Sequence, residues 1–146
     1  YPEDMKLPGN VKHLMHVSPP QHSEFYSASR FTLNLTRQDM VEAGYSPSVR
    51  LFEAAACGAA IITDDWPGLE SFFEIGDQIL IAQETAQIVH YLRDLDDQQL
   101  QKMGTKARDR VLEEHSSAER ARQLEELIEE AVGRPLENRP FAAMGL

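Results

Sequence analysis

A hydroxyl, a cation and a carboxylate recur at helical spacing near the middle of the chain. Ser46, Arg50 and Glu53 follow one another at intervals of four and three residues, so on a helix they would share one face. Ser46 is a favoured N-cap residue, Pro47 a favoured first helical residue and Gly58 a favoured left-handed stop. Unpaired N–H groups at a helix start attract anions, and a carboxylate on the same face can accept hydroxyl groups. The spacing therefore predicts a pocket for a nucleoside diphosphate, with the diphosphate at the amides and the ribose on Glu53.

The same residues also have a simpler interpretation. Arg50 and Glu53 are three positions apart, and such pairs are common on helix surfaces, where each stabilises the helix by about 0.2–0.5 kcal/mol. Spacing alone does not choose between a surface pair and a ligand site. Both interpretations therefore stay open at the level of the sequence.

Four short apolar segments predict the strands that must position this helix. They are Val11–Val17, Phe31–Leu35, Ala59–Thr63 and Gln78–Ala82. Helical sequence follows each of them, and strands that are apolar throughout belong in a parallel sheet covered on both faces. The predicted fold class is therefore α/β, with a doubly wound, Rossmann-like parallel sheet and a helical C-terminal extension.

Helical periodicity predicts the remaining elements. Short helices are expected at about His22–Ser29 and Leu69–Glu74, and beyond Gln83 the apolar period changes from two to 3.6 residues. The later helices are predicted at about Glu84–Asp94, around Leu100 and Met103, from about Ala107 to Leu112, and in a last segment capped by Ser117.

The predicted elements divide the chain into three parts. Residues 1–95 form the α/β core, residues 96–133 the C-terminal helices that pack on the same domain, and residues 134–146 a tail. In a parallel sheet of this kind the ligand lies beyond the carboxyl ends of the strands. The loops expected at those ends are Ser18–His22, Thr36–Ser46, Asp64–Gly68 and Gln83.

Composition argues against several classes of function. The formal net charge of −10 is unfavourable for a sequence-independent nucleic-acid binder, which needs a basic surface. Cys57 is the only cysteine, so no intrachain disulfide can form, and no metal site is predicted. The sequence has no signal peptide and no apolar run long enough to span a membrane, which predicts a cytoplasmic protein without a transmembrane segment. It opens on Tyr1 rather than methionine, so we expect a piece of a longer protein.

Three stretches carry a resemblance to a known family. They are Leu33–Met40, Gly44–Glu53 with its continuation to Thr63, and Gly68–Glu74. From about Val11 to Leu95 the chain resembles the C-terminal, donor-binding domain of GT-B glycosyltransferases. More narrowly, it resembles a bacterial branch of glycosyltransferase group 1 and spore-maturation-related proteins. The resemblance implies that a sugar is moved from a nucleoside diphosphate sugar to an acceptor, without a metal or another cofactor.

The resemblance also implies roles for individual residues. Glu53 matches the glutamate that holds the ribose hydroxyls of the nucleotide sugar. The amides near Ser46, Pro47 and Ser48 match the helix start that faces the diphosphate, although Pro47 itself has no N–H to offer. Tyr45 stands where related enzymes have an acidic residue that touches the transferred sugar. This departure leaves the sugar preference and the stereochemistry of transfer open.

The resemblance implies that the acceptor site lies on another domain. In GT-B enzymes the N-terminal domain supplies the acceptor site and often the catalytic base. The expected partners of this chain are therefore the nucleotide-sugar donor and an N-terminal GT-B domain. We expect the 146 residues alone to bind donor weakly and to transfer no sugar.

Two further candidates lie near the ends of predicted strands. Arg37 suits a phosphate because its guanidinium is always charged and can bind two oxygens at once; the alternative is a salt bridge to Asp39 or Glu42. His16, near the end of the first predicted strand, would border the nucleotide base or else pack in the sheet.

Other polar and reactive residues are expected to be structural. Asp64 and Asp65 are adjacent carboxylates without a third ligand at suitable spacing, so one of them is expected to cap the helix after Pro67. Trp66 would either stack on a ligand ring or pack in the core. Cys57, which follows a run of alanines, is expected to be a small buried residue.

Two other functions stay open. One is a flavodoxin-like regulatory or protein-interaction domain without catalysis, although the chain lacks the acidic pocket and phosphorylatable aspartate that receiver domains place on early strands. The other is an epimerase of the same two-domain fold.

Overall fold

The structure, a computed structural model, describes residues 6–133. The helices are α1 (His22–Ser27), α2 (Gln38–Ala43), α3 (Val49–Ala56), α4 (Thr85–Asp94), α5 (Asp97–Glu114) and α6 (Ser117–Val132). The strands are β1 (Thr32–Asn34), β2 (Ile61–Thr63) and β3 (Leu80–Ile81). Single turns of 3-10 helix cover Pro19–Gln21 and Leu69–Ser71.

The three strands form one parallel sheet in the order β1-β2-β3. Asn34 at the end of β1 is paired in register with Thr63 at the end of β2, and Thr63 is paired in turn with Ile81. Polar side chains therefore meet at the carboxyl edge of the sheet. At the amino edge, the two residues that precede β2, Ala59 and Ala60, are apolar and buried.

Helices cover both faces of the sheet. Successive side chains of a strand point to opposite faces, so Ile61 and Ile62 enter different apolar clusters. Ile61 packs in the cluster that contains Leu51 of α3 and Ala107 of α5, whereas Ile62 packs with Met103 and with α4. The predicted α/β class with a doubly wound parallel sheet is confirmed.

The backbone of helix α5 packs directly against the backbone of the residues that follow α3. A Cβ added to Gly104 would lie 2.0 Å from the carbonyl oxygen of Gly58, so only glycine fits at this crossing. Gly58 itself has a φ of 72°, which confirms the predicted left-handed stop after α3. The contact fixes the carboxyl end of α3 against α5.

The first predicted strand, Val11–Val17, does not form. These residues have no regular secondary structure, and the apolar side chains of Val11, Leu14 and Met15 are 47%, 47% and 90% exposed. A strand is stabilised by ladder hydrogen bonds and by burial of its apolar face, and this segment has neither. The sheet of residues 6–133 accordingly has three of the four predicted strands, with β1 at its edge.

Several predicted helix boundaries need correction. The helix expected to start at Pro47 with Ser46 as its N-cap begins at Val49, and its N-cap is Ser48. The N–H of Tyr45 is held by the carbonyl of Pro67 ahead of the helix, and Ser48 has an extended backbone, so the first helical turn starts only after Ser48.

Further along, the two helices predicted around Leu100 and Ala107 are one continuous helix, α5, which Gly104 does not interrupt. Ser116 caps α6 instead of Ser117. The helix predicted over Leu69–Glu74 is reduced to a 3-10 turn.

Helix α6 ends at Gly133, which has a φ of 61°. The predicted tail over residues 134–146 lies outside the described residues. Within residues 6–133, no helix combines the length and the apolar character needed to cross a bilayer.

Candidate functional site

The start of α3 is open and electrostatically uncompensated. Its N-cap residue, Ser48, makes no side-chain hydrogen bond to the helix, and the first turn contains no acidic residue. By contrast, Asp96 caps α5 and Ser116 caps α6 through side-chain hydrogen bonds. The N–H groups of Val49 and Arg50 have no partner among residues 6–133, whereas that of Leu51 donates to the carbonyl of Ser48 at 3.0 Å, and Val49 itself is 69% exposed. The positive end of this helix dipole is therefore available to an anion.

Arg50 adds a full positive charge to the same helix end. Its side chain is exposed in the first turn of α3, and it makes no salt bridge within residues 6–133. Ser46 lies outside the helix, so the predicted stripe of three residues is reduced to Arg50 and Glu53. Within residues 6–133 no salt bridge joins these two side chains.

Glu53 is held by α1 instead. Its Oε2 accepts a hydrogen bond from the hydroxyl of Tyr26 at 3.4 Å, and its Oε1 lies 3.5 Å from Nδ1 of His22, an ion pair when that ring is protonated. The side chain of Glu53 remains 34% exposed. Burial and then the charge of Glu53 raise the pKa of Tyr26 above its ordinary value, so the hydroxyl keeps its proton as donor.

Tyr45 joins the loop before α3 to the loop after β2. Its backbone N–H donates to the carbonyl of Pro67 at 2.7 Å, and its φ of 48° is unusual for a residue with a side chain. Its ring covers Gly68, where an added Cβ would lie 2.4 Å from Cδ1 of the tyrosine. Tyr45 is nevertheless 69% exposed, so much of the ring faces solvent beside the start of α3.

Arg37 and His16 both lie on the surface. Arg37 is the N-cap residue of α2, and among the described residues its guanidinium donates one hydrogen bond, to the sulfur of Met40 at 3.7 Å. The alternative salt bridges of Arg37 are absent there, since Glu42 accepts a hydrogen bond from Gln38 instead. His16 is exposed on the segment that forms no strand, so the structure does not bring it to a strand end.

A polar network at the ends of β1 and β2 was not predicted. Asp64 accepts hydrogen bonds from the backbone N–H of Thr36 at 3.0 and 3.1 Å and from its hydroxyl at 2.7 Å. It also accepts from the hydroxyl of Thr63 at 3.1 Å. Both hydroxyl oxygens in turn accept from Nδ2 of Asn34, which is 1% exposed. The signal in the sequence is a polar residue ending each of two short strands.

This network corrects the role expected for the two aspartates. Asp64 does not cap a helix, because it is already bonded to Thr36 and Thr63, and the residue that precedes the 3-10 turn is Gly68. Asp65 is exposed and makes no hydrogen bond or ion pair with any residue in 6–133.

An open cavity of about 420 Å³ lies at the opposite, amino edge of the sheet. Residues before β2, including Cys57 and Ala60, line it together with Arg30 and the first turns of α5. Cys57 is half-buried rather than buried as expected, and desolvation followed by the charge of Glu53 raises the pKa of its thiol. Neither Glu53 nor any other predicted site residue lines this cavity.

The cation beside that cavity is already satisfied. Arg30 donates from Nε to Asp97 at 2.9 Å and from its two Nη atoms to the carbonyls of Leu92 and Leu95 at 2.7 and 2.6 Å. Its charge therefore serves to fix the junction of α4 and α5. Arg30 therefore contributes no unpaired charge to the cavity at the amino edge.

The candidate Trp66 and two histidines of the later helices have structural roles. Trp66 is 3% exposed and lies 6.0 Å from the ring of Phe72, as the packing alternative predicts. His115 packs against Phe72 and Phe52, and His90 pairs with Asp94 on the surface of α4. Within residues 6–133 no group of three or more histidine, cysteine or carboxylate side chains could hold a metal ion.

An α/β domain with a polar carboxyl edge and an open helix start has the arrangement of a domain that binds an anionic ligand. A comparison with protein families narrows this class. The model of the family described as glycosyl transferase-like matches residues 1–126, which is most of the chain. The chain belongs to the glycosyl transferase-like family. Membership supports glycosyl transfer as its function and a sugar donor as its substrate. Neither the curated proteins nor the solved structures contain a significant match.

Proposed function

We propose that this chain is the donor-binding half of a GT-B glycosyltransferase and binds a nucleoside diphosphate sugar at the carboxyl edge of its sheet. The narrower branch, glycosyltransferase group 1 with spore-maturation-related proteins, belongs to the same proposal. The family match supports the chemistry of sugar transfer, and the resemblance of residues 33–74 supports the subdivision.

The choice of a nucleoside diphosphate as the ligand rests on the start of α3. The start of α3 combines the unpaired N–H groups of Val49 and Arg50, the exposure of both residues, and the cation of Arg50, which forms no salt bridge within residues 6–133. In a chain with a formal net charge of −10, a local concentration of positive charge favours a specific anion over a polyanion surface. A diphosphate carries negative charge on two neighbouring phosphate groups. The amides of Val49 and Arg50 would donate to it.

The remaining residues of the proposed site take roles around that diphosphate. Glu53 would accept the ribose hydroxyls, because about one third of its side chain is still exposed. Arg37 and Arg50 would stabilise the charge that builds on the leaving diphosphate. Tyr45 would contact the sugar, Ser46, Pro47 and Ser48 would shape the approach to the amides, and His16 would border the base.

A second domain completes the proposed enzyme. The proposed donor-binding residues do not include the base that activates the acceptor. We place that base and the acceptor site on an N-terminal GT-B domain. The 146-residue chain by itself would then bind donor weakly and show no turnover.

Calorimetry with UDP and GDP tests the proposal. The native chain should give heat with at least one of them, and Glu53→Ala should lose it. Glu53→Gln keeps an oxygen that can accept from Tyr26 but removes the charge, and should weaken binding by about tenfold. Glu113→Ala is the matched control, because Glu113 is an exposed glutamate on α5 and its loss should leave the heat unchanged.

Absence of heat with both nucleotides would contradict donor binding and favour the protein-interaction alternative. Equal binding by the native chain and Glu53→Ala would remove the ribose role of Glu53. Thermal unfolding of each variant shows whether a loss of heat reflects the site or the fold.

A further inference from the structure

Asp64 joins the ends of two strands through one carboxylate. It follows Thr63 directly at the end of β2, and it accepts both the backbone N–H and the hydroxyl of Thr36, two residues beyond β1. The three distances lie between 2.7 and 3.1 Å. This carboxylate therefore determines the direction in which the chain leaves β1.

The hydrogens of this network can be assigned in only one way. The hydroxyls of Thr36 and Thr63 each have one proton, and both protons go to Oδ1 of Asp64. Their oxygens are then free to accept, and Nδ2 of Asn34 supplies one hydrogen to each. Every donor of the network thus depends, directly or through a hydroxyl, on the acceptor Asp64.

A second attachment holds the same segment at its other end. The N–H of Tyr45 donates to the carbonyl of Pro67, and a Cβ on Gly44 would lie 3.3 Å from Pro67. The segment 36–45, which contains α2, is therefore bound at both ends to the segment 64–68. Arg37 lies immediately after the first attachment, and the start of α3 lies just beyond the second.

We propose that Asp64 is a positioning residue for the donor site, which orients segment 36–45 through Thr36 and so places Arg37 and the start of α3. The site itself rests on the function proposed above, but the orientation of the segment does not. Asp64 acts through other residues, because Oδ1 already accepts from both threonines and Oδ2 accepts from the amide of Thr36.

The adjacent aspartate provides a matched control. Asp65 carries the same charge one residue further along but is exposed and makes no hydrogen bond or ion pair inside residues 6–133. Asp64→Asn provides a conservative variant. It can keep Oδ1, which accepts three of the four hydrogen bonds, but it replaces Oδ2 with an NH2 group that cannot accept from Thr36.

Hydrogen exchange of the full 146-residue chain tests the inference. Asp64→Ala should accelerate exchange of the amides in segment 36–45 by about tenfold or more, whereas Asp65→Ala should leave them unchanged. Asp64→Asn should restore most of the protection. The same variants are titrated with UDP and GDP, and Asp64→Ala should weaken the binding seen with the native chain by about tenfold.

Hydrogen exchange and nucleotide binding test two different claims. Equal exchange of segment 36–45 in Asp64→Ala and Asp65→Ala would overturn the inference, whether or not nucleotide binds. If the native chain binds neither UDP nor GDP, the proposed function fails, and exchange still decides whether Asp64 orients the segment. If Asp64→Ala does not fold, Thr36→Val, which keeps the backbone N–H, should accelerate exchange in the same segment by a smaller factor; unchanged exchange would overturn the inference.

Discussion

The two edges of the sheet differ in how their charges are satisfied. At the amino edge, Arg30 lies beside a cavity of about 420 Å³, but it donates to Asp97 and to two carbonyls. At the carboxyl edge, Arg37 and Arg50 are exposed and form no salt bridge within residues 6–133, and α3 begins without a side-chain cap. The cavity and the open helix start therefore lie at opposite edges.

This difference between the two edges indicates which of them suits a charged ligand. A cavity whose cation is already paired offers volume but little electrostatic attraction. An open helix start beside an unpaired arginine offers electrostatic attraction to an anion. For an anionic donor, the carboxyl edge is the better candidate.

The largest expected effect is at the amino edge. Gly104→Ala would place a Cβ 2.0 Å from the carbonyl oxygen of Gly58, so α5 and the end of α3 must separate. We expect the free energy of unfolding to fall by roughly 3 kcal/mol, the upper end of ordinary overpacking, despite a gain of about 1 kcal/mol in helix propensity. Chemical denaturation measures the change.

A neighbouring substitution is the control for that effect. Thr105 is exposed on the same helix, so Thr105→Ala should be neutral or slightly stabilising. If Gly104→Ala proved as stable as Thr105→Ala, the close contact between α5 and Gly58 would be refuted.

An intermediate effect is expected at the carboxyl edge. Gly68 has a φ of 97° and lies under the ring of Tyr45, so Gly68→Ala adds backbone strain and displaces the ring. We expect a loss of about 1–3 kcal/mol, measured by chemical denaturation. In the double variant with Tyr45→Ala the steric part should disappear and the backbone part remain. Strictly additive effects of the two substitutions would contradict contact between them.

The smallest expected effect is a dependence on pH near the carboxyl edge. His115 lies against Phe72, and Arg120 donates to its Nδ1, so its Nε2–H donates to the carbonyl of Phe72. Burial and then Arg120 lower the pKa of His115 below its ordinary value. As the pH falls through the ordinary histidine range, the unfolded chain takes up this proton first, and the free energy of unfolding decreases.

Denaturation at pH 7.5 and in mild acid, about pH 5.5, tests this direction. His115→Gln should reduce the loss of stability on acidification, whereas His16→Gln, at an exposed position, should leave it unchanged. A native chain that gains stability on acidification, with the gain abolished in His115→Gln, would show the opposite sign.

The sequence predicts the parts of this fold that depend on local chemistry. The run through Ile61 and Ile62 identifies a buried strand, and Gly58 identifies the end of α3, because burial and left-handed backbone both leave a signature in residue type. The candidate residues Arg37 and Arg50 are found by their charge and their place beside strand or helix ends.

Contacts between distant residues leave no such signature. Thr36 and Asp64 are 28 positions apart, so their hydrogen bond is invisible to any local pattern. The start of α3 lies at Val49 rather than at Pro47, and ahead of it the N–H of Tyr45 is held by a carbonyl of the loop after β2. The segment from Val11 to Val17 has apolar residues but finds no core to bury them, which periodicity alone cannot reveal.

Amide shifts of the ¹⁵N-labelled chain during titration with UDP and GDP locate the donor site. We expect at least one nucleotide to move the amides of Val49, Arg50 and Leu51 at the start of α3, with smaller changes near Arg37. Changes confined to residues 57–60 and 100–101 around the amino-edge cavity would contradict it, as would a spectrum that neither nucleotide alters.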